Sequence, residues 1–288
     1  MHTDLTAHHR TLATNGIHLH AVEEGAEGGP LLILLHGFPE FWYGWHRQIA
    51  PLAAAGFTVL VPDQRGYNLS DKPKDVSAYN LDILAADVVG LIDQAGAAKA
   101  YVVGHDWGGA VAWWLGIKHP ERIEKLVLLN IPHPRVMRRA VRKDPAQRKK
   151  SSYIFFFQLP WLPERSFRKN DFVRGVATLR SSSRPGTFTD ADLDLYREAW
   201  SQPGAVRGML SYYRAALRAQ PEPPASPRVT VPTLLLWGRQ DRFLGSEMAA
   251  PSIDLCDDGR LVFVDEASHW IQHEEPERVT REILGFFG

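Results

Sequence analysis

"VVGHDWGGAVAWW" (Val102–Trp114) is the stretch from which the rest of the chain can be read. Val102 and Val103 close a short apolar run that begins at Ala100. Three residues flanked by glycines follow, and apolar residues then recur at helical spacing from Ala110 to Lys118. This pattern predicts a buried strand, a tight turn and a helix. Glycines on either side of such a turn let the backbone bend sharply enough to push one side chain out above the strand end. Here that side chain is Asp106, a carboxylate that is ionised at neutral pH without help from a base.

The same grammar repeats outward. "LLILL" (Leu31–Leu35), "FTVLV" (Phe57–Val61), "AYVV" (Ala100–Val103), "KLVLL" (Lys125–Leu129), "TLLLW" (Thr233–Trp237) and "LVFV" (Leu261–Val264) are unbroken apolar runs, with helical patterns such as Leu81–Gln94 between them. Apolar strands alternating with helices predict an α/β fold with a mostly parallel sheet flanked by helices on both faces. In such sheets the working residues sit just past the carboxyl ends of the strands. From about Pro132 to Arg228 no good strand run occurs. Helix-like pieces occupy this stretch, including Asp190–Trp200 and Gly204–Ala219, bounded by "IPHP" and "PEPPASPRV". The expected organisation is a core in two parts, 1–131 and 229–288, with a helical cap, 132–228, inserted between two strands.

With 288 residues, 44% of them hydrophobic and 23% charged, the chain has the composition of one large globular domain. Lys+Arg and Asp+Glu number 33 each, so global charge gives no reason to expect nucleic acid or an anionic membrane. The single cysteine, Cys256, excludes an internal disulfide and fits a reducing compartment. "MHTDLTAHHRTL" is polar and unlike a signal peptide, and no apolar run is long enough to span a bilayer, so a cytoplasmic protein is expected. The cap opens with Arg135, Arg138, Arg139, Arg142, Lys143, Arg148, Lys149 and Lys150. These read as a solvated helix face, or as a surface that steers an anionic substrate or partner.

Gly104-His105-Asp106-Trp107-Gly108 fits the G-x-nucleophile-x-G elbow with aspartate in the serine position. Asp241 follows the strand run ending at Trp237, and His269 follows the next one. The order nucleophile, acid, histidine is the one this architecture uses. His273, one helical turn further on, is the rival base. The backbone N–H of Phe38, after His36-Gly37, and that of Trp107 are the expected oxyanion donors.

"HGFPEFWYGW", "DQRGYNLSDKP", "GHDWGG" and "DEASHW" together resemble the epoxide hydrolases of the α/β-hydrolase superfamily, the bacterial ones most closely, over essentially the whole chain. The resemblance implies two lid tyrosines that bind the epoxide oxygen: Tyr153 in "SSYIFFFQLP" and Tyr213 in "MLSYYRA". Two departures stand out. Phe156 replaces a tyrosine often seen in that lid segment, and Asn68-Leu69 stands where Gly-x is commoner.

The chemistry suits these residues. A carboxylate that displaces at saturated carbon leaves an ester, which water can cleave, whereas a serine would leave an ether. The implied activity therefore runs through an alkyl ester on Asp106, hydrolysed by water that His269 activates with Asp241 behind it. It needs no metal and no organic cofactor. Phe38, Trp42, Trp107, Phe155, Phe156 and Trp161 are expected to line an apolar pocket. The expected partners are a small apolar or aromatic epoxide and water, with no nucleic acid or membrane, in a monomer or homodimer. A haloalkane dehalogenase would use the same aspartate, but Phe38 offers no halide-binding side chain. A fluoroacetate dehalogenase would place arginine where Trp107 stands. A non-catalytic ligand-binding relative remains a reading in which the catalytic set is idle. A metal site on His18, His20 or His36 lacks ligand-like spacing, since His18 and His20 alternate along an expected edge strand.

Overall fold

The structure, a computed structural model, describes residues 8–288. The start of the polar N-terminal stretch quoted above lies outside the described residues. Eight strands form one sheet: β1 (His8–Thr14), β2 (Ile17–Glu24), β3 (Leu31–Leu35), β4 (Thr58–Pro62), β5 (Ala100–His105), β6 (Ile123–Leu129), β7 (Thr233–Gly238) and β8 (Gly259–Val264). Their spatial order is β1-β2-β4-β3-β5-β6-β7-β8. The β1·β2 and β2·β4 pairs are antiparallel and the other pairs are parallel. The six apolar runs of the sequence are β3 to β8. The strand bearing His18 and His20 is not an edge strand: it is β2, covered by β1 on its outer side. A two-residue turn makes the difference. Asn15 and Gly16 both have positive φ (45° and 75°), the geometry that closes a tight antiparallel hairpin.

The helices are α1 (His46–Ala54), α2 (Leu81–Gln94), α3 (Asp106–Lys118), α4 (Pro134–Lys143), α5 (Pro145–Lys150), α6 (Tyr153–Phe157), α7 (Leu162–Ser182), α8 (Asp190–Ser201), α9 (Ala205–Arg218), α10 (Ala249–Ile253), α11 (Ile271–Glu274) and α12 (Pro276–Phe287). Side-chain alternation along β3 shows why both faces need cover. Leu31, Ile33 and Leu35 join a core with Leu84 and Val88 of α2 and Val111 of α3. Leu32 and Leu34 join another with Ile49 and Leu52 of α1 and Ile283 of α12. The chain leaves β3 for β4 on one side and reaches β5 on the other. The carboxyl ends of β3 and β5 therefore flank the point where strand order reverses, the place such sheets offer for a site.

Between β6 and β7 the chain forms α4 to α9 and no strand. α7 is broken at Lys169–Phe172, where the backbone leaves helical geometry. This insertion is fastened to the carboxyl edge of the sheet by buried groups. The Trp200 indole donates to Pro39 O at 2.6 Å, the Tyr196 hydroxyl to Glu40 Oε1 at 3.0 Å and the Tyr212 hydroxyl to Arg65 O at 2.9 Å. α9 comes so close that a Cβ on Gly208 would lie 2.3 Å from Gly66 O. Any side chain there must push the helix away. Gly208→Ala is expected to lower stability by about 1–3 kcal/mol, the usual cost of overpacking, as measured by urea unfolding.

Candidate active site

Asp106 sits at the end of β5 as the first residue of α3, with a left-handed backbone (φ 48°). The two elbow glycines make that turn possible. A Cβ on Gly104 would lie 2.5 Å from Gly108 O, and one on Gly108 would lie 2.2 Å from Leu35 O. With neither present, the start of α3 can rest against the end of β3. The Asp106 carboxylate then meets the loop after β3, and Phe38 N–H donates to its Oδ1 at 2.8 Å. Trp107 N–H is among the first amides of α3, which have no acceptor within the helix. The helix N-terminus also favours negative charge at this point.

Asp241 and His269 follow β7 and β8, and the structure brings both to Asp106. His269 Nδ1 lies 2.8 Å from Asp241 Oδ2, and its Nε2 lies 3.8 Å from Asp106 Oδ2, too far for a hydrogen bond. Asp241 is held on every side. Its Oδ1 accepts the N–H groups of Phe243 (2.7 Å) and Leu244 (2.9 Å), and its Oδ2 also accepts Asn130 Nδ2 (2.8 Å). Asn130, the residue after β6, has a positive φ of 47° and accepts Gly238 N–H at 2.9 Å.

These contacts set the charges. Burial alone would lower the His269 pKa. The Asp241 carboxylate outweighs it by charge and hydrogen bond, Asp106 adds to the effect, and the imidazole is raised to about 9. Burial would likewise raise Asp241, but the His269 charge and the hydrogen bonds it accepts hold it below its ordinary value. Tyr153 at the start of α6 and Tyr213 on α9 have ring centroids 5.8 Å apart. Burial pushes both phenols upward. The Asp106 charge adds to the rise at each, and each phenol stays protonated at neutral pH.

Asp106, His269, Tyr153 and Tyr213 line one cavity of about 290 Å³, with Phe38, Phe156, Phe157, Phe167, Phe243 and Trp270 among its apolar walls. Four of the side chains expected to line it do not. Trp42 is fixed by its backbone N–H, which donates to Asp63 Oδ1 (2.9 Å), and its ring packs edge-on against His9 of β1. On α6 the spacing that turns Tyr153 and Phe157 inward turns Phe155 outward, leaving it 57% exposed. Trp161 forms the corner before α7 with φ 50° and is 62% exposed. The Trp107 ring packs behind Tyr213, with centroids 5.1 Å apart, and backs the phenol instead of facing the cavity. Phe38 and Phe156 are in the lining as expected.

The sequence reading missed a buried cluster beneath the elbow. The Glu40 carboxylate is 1% exposed. It lies 3.0 Å from His105 Nδ1, 2.7 Å from His273 Nε2 and 3.0 Å from the Tyr196 hydroxyl, and it accepts Gln272 Nε2 at 3.1 Å. Burial would raise Glu40, but the hydrogen bonds from His105 and His273 hold it well below the usual carboxylate range. His105 Nε2 donates to His269 O at 2.8 Å and so ties the two loops together. His273, the rival base, is committed to Glu40 and lies off the cavity. The three histidines weighed above for a metal have separate partners: His18 faces Asp71, His20 lies 2.6 Å from Asp63, and His36 Nε2 accepts Gln64 N–H. Position was the available signal for Glu40, two residues beyond the expected oxyanion donor Phe38.

Sheet order, elbow and the Asp–His–Asp set together define an α/β hydrolase, and residues 30–276 match the alpha/beta hydrolase fold family. The chain is 52% identical over 274 residues to an AB hydrolase superfamily protein of Bacillus subtilis, covering 95% of each. It is 41% identical over 278 residues to epoxide hydrolase 4 of Homo sapiens, covering 94% of this chain and 76% of the relative. The crystal structure of a Bacillus megaterium epoxide hydrolase in complex with an inhibitor superposes with a TM-score of 0.87 at 30% identity, covering 96% of this chain and 99% of the other. The chain belongs to the epoxide hydrolase family of α/β hydrolases.

NMR titration of the His269 ring should report a pKa raised to about 9. Asp106→Asn is expected to lower it, and Asp241→Asn to lower it further, because Asp241 contributes both charge and a hydrogen bond.

Proposed function

We propose that this chain hydrolyses small apolar or aromatic epoxides to vicinal diols through a covalent ester on Asp106. Support comes above all from one arrangement. A carboxylate on the sheet and two protonated phenols on the insertion line the same apolar cavity, with a histidine beside the carboxylate. The insertion, 132–228, then acts as a cap that holds the phenols over the nucleophile.

Asp106 attacks a ring carbon in line, the carbon–oxygen bond breaks, and the departing oxygen takes a proton from Tyr153 or Tyr213. His269 then removes a proton from water, which attacks the ester carbonyl. The carbonyl oxygen becomes an oxyanion next to the Phe38 and Trp107 N–H groups. Collapse frees the diol and restores Asp106. Before water is activated, the resting imidazolium returns its proton to the tyrosinate, and the proton His269 then takes from water restores the imidazolium. The raised His269 pKa fits this order of events. In the resting protein the imidazolium pairs with ionised Asp106. Esterification removes that charge, so the imidazole pKa falls just when a base is needed.

Three measurements test this reading. With His269→Gln, intact mass after addition of an aromatic epoxide should show an adduct that maps to Asp106. No adduct, or an adduct elsewhere, sinks the mechanism. Tyr153→Phe should lower turnover by up to about a hundredfold, and Tyr153→Phe with Tyr213→Phe should remove nearly all of it, given the usual worth of a general acid. Single-turnover hydrolysis of the ester should rise with pH along a limb that lies below the free-protein His269 value of about 9, because only neutral His269 is a base and the Asp106 charge is then absent.

A further inference from the structure

A net charge of zero conceals a strong local imbalance. Between Arg135 and Lys169 there are eleven Lys and Arg and only two carboxylates, Asp144 and Glu164. All eleven cations are exposed. Neither carboxylate answers them: Asp144 Oδ1 accepts Ala146 N–H to cap α5, and Glu164 pairs with Arg214. α4 is strongly two-sided. Val136, Met137 and Ala140 pack on the core, while Arg135, Arg138, Arg139, Arg142 and Lys143 face out.

Five of the eight large exposed apolar side chains among the described residues fall between Phe155 and Leu162. Phe155 (57%), Trp161 (62%), Leu159 (43%) and Leu162 (41%) follow α5 directly. The end of α9 joins the two sets in space. Arg138 reaches Gln220, Leu217 is 52% exposed, and Arg218 donates to the Gln158 carbonyl. The surface therefore runs from basic α4 across the end of α9 to the apolar corner at Leu159–Leu162. The cavity reaches the outside beside this corner, where Phe156 and Arg174 are exposed members of its lining.

We propose that this face of the insertion docks on an anionic lipid bilayer, with the cations on the headgroups and Phe155, Trp161 and Leu159 in the interface. Interfacial segments combine these two features: Lys and Arg that neutralise anionic headgroups, and Trp, Phe and Leu that enter the boundary. Duplex nucleic acid would satisfy the cations but keeps its bases stacked on one another and gives exposed Phe155, Trp161 and Leu159 nothing to enter. A second copy in a symmetric contact would set one cationic face against another. Docking stands whatever the cavity turns over. Uptake of an apolar epoxide from the bilayer through the adjoining mouth rests on the epoxide reading.

The full chain should sediment with vesicles of phosphatidylcholine containing phosphatidylglycerol and stay in solution with phosphatidylcholine alone, with binding falling as salt rises. Each Lys or Arg at such a surface is worth roughly fivefold in partitioning, so Arg138→Glu with Arg139→Glu and Arg142→Glu should abolish sedimentation. Phe155→Ser with Trp161→Ser should weaken it while leaving turnover of a soluble epoxide unchanged. Absence of binding to anionic vesicles overturns docking, whether or not the epoxide is hydrolysed. So does a charge-reversed variant that still sediments. Unchanged binding by the Phe155/Trp161 variant, or tighter binding to duplex DNA than to vesicles at the same salt, excludes a lipid interface in favour of a purely electrostatic anionic partner.

Discussion

The left-handed backbone of Asp106 is the constraint on which the rest of the site depends. For a residue with a side chain it costs on the order of 1–3 kcal/mol, and it persists because its surroundings leave no other course. β5 is paired on both edges, α3 begins at once, and Phe38 N–H holds the carboxylate. Glycines at 104 and 108 remove the Cβ atoms that would otherwise strike backbone. The strain is thus fixed by the sheet, and it aims one carboxylate into the cavity.

A second layer keeps that geometry rigid. Glu40, His105, Gln272 and His273 form a polar knot beneath the elbow, buried to 4% exposure or less. An ionised buried carboxylate is costly unless every oxygen is answered. Glu40 meets that condition with four partners from three parts of the chain. Because His105 also donates to His269 O, Asp106 and His269 share one support. Tyr196 brings the insertion into the same network. Core, elbow, histidine loop and insertion are therefore fixed relative to one another through one carboxylate.

Much of this was legible in the sequence because it is local. Unbroken apolar runs gave β3 to β8, and the elbow, Asp241 and His269 could be placed by strand ends and order. The lid tyrosines came from resemblance, since no local rule singles out Tyr153 among its neighbouring phenylalanines. The failures have physical causes. Asn15-Gly16 is a hairpin signal, but β1 and β2 lack the apolar run that marked the others. Composition named aromatic residues for the pocket without fixing which way each ring points, so Trp42, Phe155 and Trp161 were assigned to a cavity they do not line. Glu40 and Asn130 act through partners distant in the chain, a relation that sequence spacing does not express. Asn68 is easier to rationalise. Its φ of 36° is one that glycine or asparagine accepts, and its side chain donates to Asp63.

Asn130 and Gly238 carry a further implication. The insertion leaves the core at the end of β6 and returns at β7, and these strands are neighbours held together across the gap by the Asn130 side chain. Its two ends also meet, since His133 Nε2 lies 2.9 Å from Pro227 O, so the length of the excursion between them is nearly irrelevant to the sheet. Asp241 is oriented by core groups alone, namely Asn130 and the Phe243 and Leu244 amides. The insertion is in effect a module that meets this core through a few buried groups, Tyr196 on Glu40 and Gln147 on the Phe243–Gly245 backbone among them. Such a chain can acquire a new cavity lining by trading one stretch of polypeptide while the Asp106, His269 and Asp241 set is inherited intact.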